Sequence, residues 1–325
     1  MFNVAIVGAT GLVGQSFIKV LEEYDLPIQN IIFLASKRSE GKSVQFRGST
    51  YPIEVLDEHS FDRPLDYALF SAGGEVSKLY APLASAKGIV VIDNSSVWRM
   101  DPHVPLVVPE INPEDSVLHH GIIANPNCST IQSVLPLHAL RDYAIKRVVY
   151  STYQAVSGSG YKGVNDLNRN LKNESSVYYP KQILHNVIPQ IDVFLPNGDT
   201  KEEEKMINET RKILHRPSLK VTATCVRVPV YNGHSVAINV EFEKPFTMEE
   251  ILYKLKAQQG IKVFETDFPT ALEVSGQDLT YVGRIRRDTS VPNGLNLWVV
   301  ADNIRKGAAS NAIQIMQVLI ENKLK

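Results

Sequence analysis

Val4-Ala5-Ile6-Val7-Gly8-Ala9-Thr10-Gly11-Leu12-Val13-Gly14 is the stretch whose reading decides the fold. Val4 to Val7 is a short, unbroken apolar run, as expected of a strand buried on both faces of a parallel sheet. Glycines at 8, 11 and 14 come next, and Leu12, Phe17, Val20 and Leu21 then recur at helical spacing. In a strand, glycine turn and helix, small residues let the backbone approach a pyrophosphate, which lies at the helix N-terminus. The spacing Gly-x-x-Gly-x-x-Gly differs from the commoner Gly-x-Gly-x-x-Gly, but the mechanism is shared. The chain is therefore expected to be α/β and to open on a dinucleotide-binding unit.

Working outward, the residues just past a second strand, 30–35, decide the cofactor. An NAD site wants Asp or Glu there, to accept from the ribose hydroxyls. This chain has Ser36-Lys37-Arg38-Ser39-Glu40-Gly41-Lys42 instead. Hydroxyls and cations suit a 2′-phosphate, and Arg38 can meet it with its planar fork, so NADP is favoured over NAD. Glu40 is the one dissonant charge. Alternation continues with a strand over 65–70, Ser71-Ala72-Gly73-Gly74 opening a helix from Val76, and a strand over 89–92 running into Asp93-Asn94-Ser95-Ser96. Small polar turns at the C-terminal ends of parallel strands are where open α/β sheets bind ligands. Arg99, just past such an end, is placed to receive an anion.

The chemistry centres on Asn125-Pro126-Asn127-Cys128-Ser129-Thr130. An apolar strand end, 121–124, precedes it, and Ile131, Val134, Leu135, His138 and Ala139 succeed it at helical spacing. Asn127 or Ser129 can cap that helix, and unpaired N–H groups there point at whatever lies in front. A thiol at such a place has its anion favoured by the positive helix end, which makes it a nucleophile. The competing reading is one more small buried residue. Cys225 is read that way.

From Lys146 the pattern changes. A long β-rich run over 148–156 ends at Ser157-Gly158-Ser159-Gly160, and runs over 221–230 and 235–242 alternate like an antiparallel sheet with one wet face. A charged helix over 201–214 lies between, and His234 falls on a turn between two strands. The last strand, 296–301, leads into Asp302-Asn303-Ile304-Arg305-Lys306-Gly307, and a final helix turns Ala312, Ile315, Met316 and Leu319 inward. These elements predict a Rossmann-like NADP-binding domain over 1–126, completed by a C-terminal helix over 303–325, and a mixed α+β catalytic domain over 127–302.

Composition narrows the function classes. The 325 residues suffice for two full cores, and 44% hydrophobic content marks a folded globular chain. Lys and Arg total 34 against 35 for Asp and Glu, so no basic excess argues for nucleic acid. Two cysteines make no disulfide scaffold and fit a reducing cytoplasm. The N-terminus has no basic n-region and is not read as a signal peptide, no run approaches the ~20 residues of a membrane span, and no metal site is expected.

Five stretches in order resemble the aspartate-β-semialdehyde dehydrogenase family nearly end to end: residues 8–14, 125–130, 153–158, Arg227-Val228-Pro229-Val230 through Gly233-His234, and Asp302-Asn303 through Lys306-Gly307-Ala308-Ala309. The resemblance implies NADP-linked reductive dephosphorylation of L-aspartyl 4-phosphate to the semialdehyde, on the way to lysine, threonine and methionine. It implies Cys128 as nucleophile, His234 as acid–base partner and Gln154 as the residue orienting the reacting carbonyl. By the same resemblance Arg227 holds the substrate carboxylate, Arg99 binds phosphate, and Asn127, Glu202 and Lys205 contact substrate; Glu203 and Glu204 compete with Glu202 for that register. The cofactor contacts it implies are Gly8, Thr10, Gly11, Leu12, Val13, Ser36, Arg38, Ser39, Ser71, Gly73, Asn94, Ser157, Gly158 and Asn303. A homodimer or dimer of dimers is expected, with the second domain dimerising. Two rivals stand beside this reading: an N-acetyl-glutamyl-phosphate reductase, and a catalytically inactive NADP-binding paralogue.

Overall fold

The computed structural model describes residues 1–324; residue 325, the last of the helix expected over 303–325, lies outside the described residues. The chain forms two compact units, one of Met1–Pro126 with the chain from Ala308 onward, the other of Asn127–Gly307.

The first unit runs β1 (Phe2–Val7), α1 (Leu12–Glu23), β2 (Ile28–Ala35), β3 (Ser43–Phe46), β4 (Ser49–Val55), β5 (Tyr67–Phe70), α2 (Gly74–Ala86), β6 (Val90–Asp93) and β7 (Ile122–Ala124). Its sheet has the order β3-β4-β2-β1-β5-β6-β7. Val4 of β1 stands between Ile31 of β2 and Tyr67 of β5, parallel to both, so strand order reverses at the β1–β5 pair. The run Val4 to Val7 is fully buried, which explains why it reads as continuous rather than alternating. The β3–β4 hairpin, antiparallel through Val44 and Tyr51, was not foreseen; Gly48 at φ +76° turns it.

The second unit runs α3 (Cys128–Ala139), β8 (Ile145–Gln154), α4 (Gly160–Leu171), α5 (Lys201–Ile213), β9 (Lys220–Arg227), β10 (His234–Phe242), α6 (Met248–Ala257), β11 (Ile261–Val263), α7 (Ala271–Val274), β12 (Thr280–Asp288) and β13 (Gly294–Ala301). Its sheet has the order β11-β12-β13-β10-β8-β9. One face packs α3, α5 and α6 over Val148, Tyr150, Cys225, Val236, Ile238 and Leu297. β10 is antiparallel to β8 and β13, but β9 lies parallel to β8, pairing Arg227 with Gln154. The antiparallel expectation for that strand is corrected: alternating burial reports two unlike faces, not strand direction, and the crossover through α4 and α5 returns β9 parallel.

Helix α8 (Ser310–Leu324) closes the first unit. Its Ile313, Met316 and Leu319 join Ile6, Phe17, Leu21 and Phe33 in one core. The first unit resumes at Ala308 rather than at 303. Residues 302 and 303 are tied into the second unit, where Gly276 N–H donates to Asp302 Oδ2 (2.7 Å) and Gly233 N–H to Asn303 Oδ1 (2.8 Å).

Candidate active site

Cys128 is the first residue of α3. Asn127 is its N-cap, in extended backbone at ψ 142°, and Asn127 Oδ1 accepts from Ser129 N–H (3.0 Å) and Thr130 N–H (3.2 Å). The choice between Asn127 and Ser129 falls to Asn127. The expectation of open first-turn donors is corrected at the same time: the cap consumes two of them. Asn127 is itself held twice from α5. Its backbone N–H donates to Glu209 Oε2 (2.6 Å), and its Nδ2 donates to Glu202 Oε1 (2.8 Å). Gly307 presses on Cys128: a Cβ there would lie 2.9 Å from Cys128 Cβ.

Glu202 joins this end of α3 to β8. Its Oε1 also accepts from Gln154 Nε2 (3.1 Å), and its Oε2 takes Lys205 Nζ at 3.2 Å. Burial works to raise the Glu202 pKa, yet the Lys205 charge, the Asn127 and Gln154 amides and Arg227 outweigh it and hold the carboxyl below its ordinary 4.5. Of the three consecutive glutamates only Glu202 faces this cluster. Glu203 closes a capping box with Thr200 and accepts from Cys225 N–H (2.9 Å), while Glu204 is exposed. Glu209 was missed, though it falls seven residues after Glu202 and so on the same helix face. Cys225 is a packed core residue, and burial pushes its thiol pKa up.

Gln154 leads into Ala155, whose peptide groups clamp the two remaining side chains. Ala155 N–H donates to His234 Nδ1 (3.0 Å), and Ala155 C=O accepts from Arg227 Nη1 (2.6 Å). His234 is not on a turn but is the first residue of β10, paired with Ala301; the turn is taken by Gly233 at φ +90°. Both side chains are buried, and His234 Nε2 and Arg227 Nε have no hydrogen-bond partner. Burial, then the Arg227 charge, hold the His234 pKa well below its ordinary 6.5, with the Gly233 carbonyl opposing them. Gly158 leaves room here: a Cβ would sit 2.8 Å from Arg227 Nη1 and 3.2 Å from His234 Nε2. Ser157 pairs with Asn303, whose Nδ2 donates to Ser157 Oγ (2.9 Å).

In the first unit the expected cofactor residues gather at the C-terminal ends of β1, β2, β5 and β6. Gly8, at φ +88°, packs on the strand-order reversal, where a Cβ would meet Ser71 C and O at 2.8 Å. Gly14 allows α1 to close on the turn, since a Cβ there would be 2.1 Å from Gly8 O. Gly11 and Gly73 are the N-caps of α1 and α2, and neither helix has a side-chain cap, which suits an anion at its N-terminus. Leu12 and Val13 begin α1; Ser71 and Gly73 lie between β5 and α2. Thr10 Oγ1 lies 3.2 Å from Ser39 Oγ, tying the glycine turn to the segment after β2, where Ser36 and Arg38 are exposed. Asn94 Oδ1 accepts from Asn125 Nδ2 (2.7 Å), and its carbonyl takes Arg99 Nη2 (2.9 Å); Arg99 Nε donates to Asn125 O (2.9 Å). Asn125 also accepts from Asn311 of α8 (2.7 Å), a residue the sequence did not single out. No group of three or more His, Cys, Asp or Glu that could hold a metal occurs among the described residues.

Two family models match, described as "Semialdehyde dehydrogenase, NAD binding domain" over residues 3–119 and "Semialdehyde dehydrogenase, dimerisation domain" over 135–306. The aspartate-semialdehyde dehydrogenase of Aquifex aeolicus is 51% identical, over 99% of both chains. The chain belongs to the aspartate-semialdehyde dehydrogenase family. Aspartate-semialdehyde dehydrogenase 2 of Vibrio cholerae is 47% identical over 99% of this chain and 98% of its own. A crystal structure of aspartate semialdehyde dehydrogenase II from V. cholerae, complexed with ASA, superposes with a TM-score of 0.95 at 46% identity over 99% and 98% of the two chains. The aspartate-semialdehyde dehydrogenase of Candida albicans, solved with NADP, has a TM-score of 0.77 at 25% identity over 98% of each chain. The two-domain α/β fold and the Rossmann-type first unit are those of this family.

Proposed function

We propose that the chain is an NADP-dependent aspartate-semialdehyde dehydrogenase that converts L-aspartyl 4-phosphate to the semialdehyde through a thioester on Cys128. The observation that carries the reading is the linked set in the second unit: Asn127 and Gln154 on Glu202, and His234 and Arg227 on Ala155, around the capped start of α3. A carboxylate-level carbon resists reduction until it is activated. The Cys128 thiolate attacks the acyl carbon, the carbon–oxygen bond to phosphate breaks, and phosphate leaves with the electron pair. The nicotinamide, when bound, supplies the hydride that turns the thioester into a tetrahedral anion on Cys128. Arg227 suits the substrate carboxylate, Glu202 with Lys205 its charged α-substituents, and Arg99 phosphate. Gln154 orients the reacting carbonyl and His234 serves its oxygen.

The glycine turn at the strand-order reversal fits a dinucleotide, because only hydrogens at Gly8 and Gly14 leave the backbone so close-packed. Arg38, Ser36 and Ser39, with no acid directly after β2, support NADP over NAD. The second unit's outer sheet face, a concavity of about 620 Å³ bounded by Trp298, Phe268, Ala237 and Ser151, supports a homodimer or dimer of dimers through the unit that matches a dimerisation family. No helix among the described residues is long and apolar enough to cross a membrane, and the reading places the enzyme in the cytoplasm, in aspartate-family amino-acid synthesis.

The deciding assay measures phosphate-dependent NADP reduction with aspartate semialdehyde and with its N-acetylated, one-carbon-longer homologue. Aspartate semialdehyde should be turned over, the homologue should not, and Cys128→Ala should abolish the reaction while NADP still binds. Preference for the homologue would assign the chain to N-acetyl-glutamyl-phosphate reduction; an active Cys128→Ala protein would remove the thioester.

A further inference from the structure

The proposed chemistry uses Asn127 and Cys128 of the stretch Asn125-Pro126-Asn127-Cys128 and leaves Asn125 without a role. Asn125 is fully buried in the first unit, and every polar group it carries is engaged there. Its N–H donates to Asp93 O at the end of β6 (2.8 Å), and its carbonyl accepts from Arg99 Nε (2.9 Å). Its Nδ2 donates to Asn94 Oδ1 (2.7 Å) and to Ala308 O (3.0 Å), and its Oδ1 accepts from Asn311 Nδ2 (2.7 Å). Asn94 O accepts in turn from Arg99 Nη2 (2.9 Å), so Asn94, Arg99 and Asn125 close a ring of hydrogen bonds. Asn311, also fully buried, feeds that ring from α8, where its Nδ2 donates as well to Val107 O (3.0 Å).

Burying amides is costly unless each is paired, and apolar side chains of the same volume would hold α8 to the sheet without that demand. What the amides add is direction. An amide carries donors on one side and an acceptor on the other, so Asn311 donating to Oδ1 turns Asn125 Nδ2 toward Asn94. Two carbonyls held on Nε and Nη2 then fix the plane of the buried Arg99 guanidinium. An anion arriving at Arg99 meets a cation already oriented, and no long side chain has to be frozen at binding.

We propose that Asn125 and Asn311 are positioning residues for phosphate: Asn311 on α8 sets the Asn125 amide, which fixes Asn94 and Arg99 together. This deepens, and rests on, the reading of Arg99 as the residue that receives phosphate. It makes the last helix of the chain part of the anion site, although Asn311 acts there only through Asn125 and Arg99. The C-terminal helix thus has two tasks in the first unit. Its Ile313, Met316 and Leu319 cover the core, and its Asn311 aims a cation.

The test measures the KM of inorganic phosphate in semialdehyde oxidation by the full-length protein. NADP is kept saturating for each variant, because Asn94 is also an expected cofactor contact. Asn311→Asp keeps the side-chain volume but turns an acceptor toward Asn125 Oδ1, against the sense of the amide chain. It should raise the phosphate KM about tenfold or more, the scale of a misplaced binding group, and move the semialdehyde KM less than about twofold. Arg227 and Glu202, the residues proposed for the semialdehyde, belong to the second unit. A role in stability alone would lower the melting temperature and the active fraction and leave both KM values in place. Asn311→Ala, which leaves Asn125 Oδ1 without that donor, should act in the same direction and serves if Asn311→Asp does not fold. Arg99→Lys keeps a charge but loses the planar fork, so adding Asn311→Asp to it should raise the phosphate KM by less than about twofold more. An unchanged phosphate KM in the Asn311 variants, or full additivity with Arg99→Lys, overturns the proposal. An unchanged phosphate KM in Arg99→Ala removes the phosphate reading itself, and the proposal with it.

Discussion

Arg38 is where cofactor choice can be tested one residue at a time. Its side chain is exposed in the segment after β2, so removing it leaves the core of the first unit untouched. Arg38→Ala should weaken NADP binding by about 1.5–3 kcal/mol, the worth of a hydrogen bond to a charged group, and leave NAD nearly unchanged. Equal losses by titration calorimetry would show that Arg38 does not read a 2′-phosphate. His234 makes a separate prediction about acid stability. The unfolded ring takes up a proton as pH falls through its ordinary 6.5, while the folded ring, depressed by burial and Arg227, does not. Stability should therefore decline below 6.5 by up to about 1.4 kcal/mol per pH unit from this group, until the folded pKa is reached. Glu202, depressed below 4.5, adds a loss of the same sign at lower pH. Urea midpoints of His234→Gln should be flatter than those of the parent between about pH 7 and about pH 5; parallel curves would sink the assignment. At this scale the residues of the candidate site were largely legible as a set, because Cys128, Gln154, Arg227 and His234 sit in distinctive motifs. What stayed hidden was carried by the backbone or by periodicity: the Ala155 peptide has no side-chain signature, and Glu209 needed its helix register to be noticed.

Helix α5 shows how an element serves the site while standing behind it. Its Glu202 and Glu209 hold the cap of α3, and its own start is set by the Thr200–Glu203 capping box. Thr200→Ala should cost about 1 kcal/mol in urea denaturation. It should also slow thiol acylation, since the first turn of α5 carries Glu202. Unchanged stability would mean that packing of Met206 and Ile213, both fully buried, sets the helix start unaided. The strand-and-helix alternation of the first unit was readable because its strands are buried on both faces and its turns are rich in glycine. The β3–β4 hairpin escaped notice because its two short strands mix exposed and buried positions without a run. The direction of β9 was misread for a different reason. Pairing direction is a property of the connection, and the connection here is long enough to contain two helices.

At the scale of the whole chain, the second unit's outer sheet face, on which the short α7 packs beside β13, brings the Tyr153 and Trp298 rings together at a tilt, centroids 5.6 Å apart. Ala237→Arg, which puts a charge on the wall of that concavity, should convert the proposed homodimer to monomer in sedimentation velocity while the thiol environment survives. A dimer unaffected by the substitution would place the interface elsewhere. The division of the first unit between two distant parts of the chain has its own bearing on how the protein comes to exist in a cell. β1 leaves the ribosome before any of the second unit, yet the helix that covers part of its core lies beyond Ala308. The nascent chain must therefore carry a half-covered apolar sheet through the synthesis of the entire second unit. In that interval a chaperone has something to hold, and a translation arrest would strand an aggregation-prone stub.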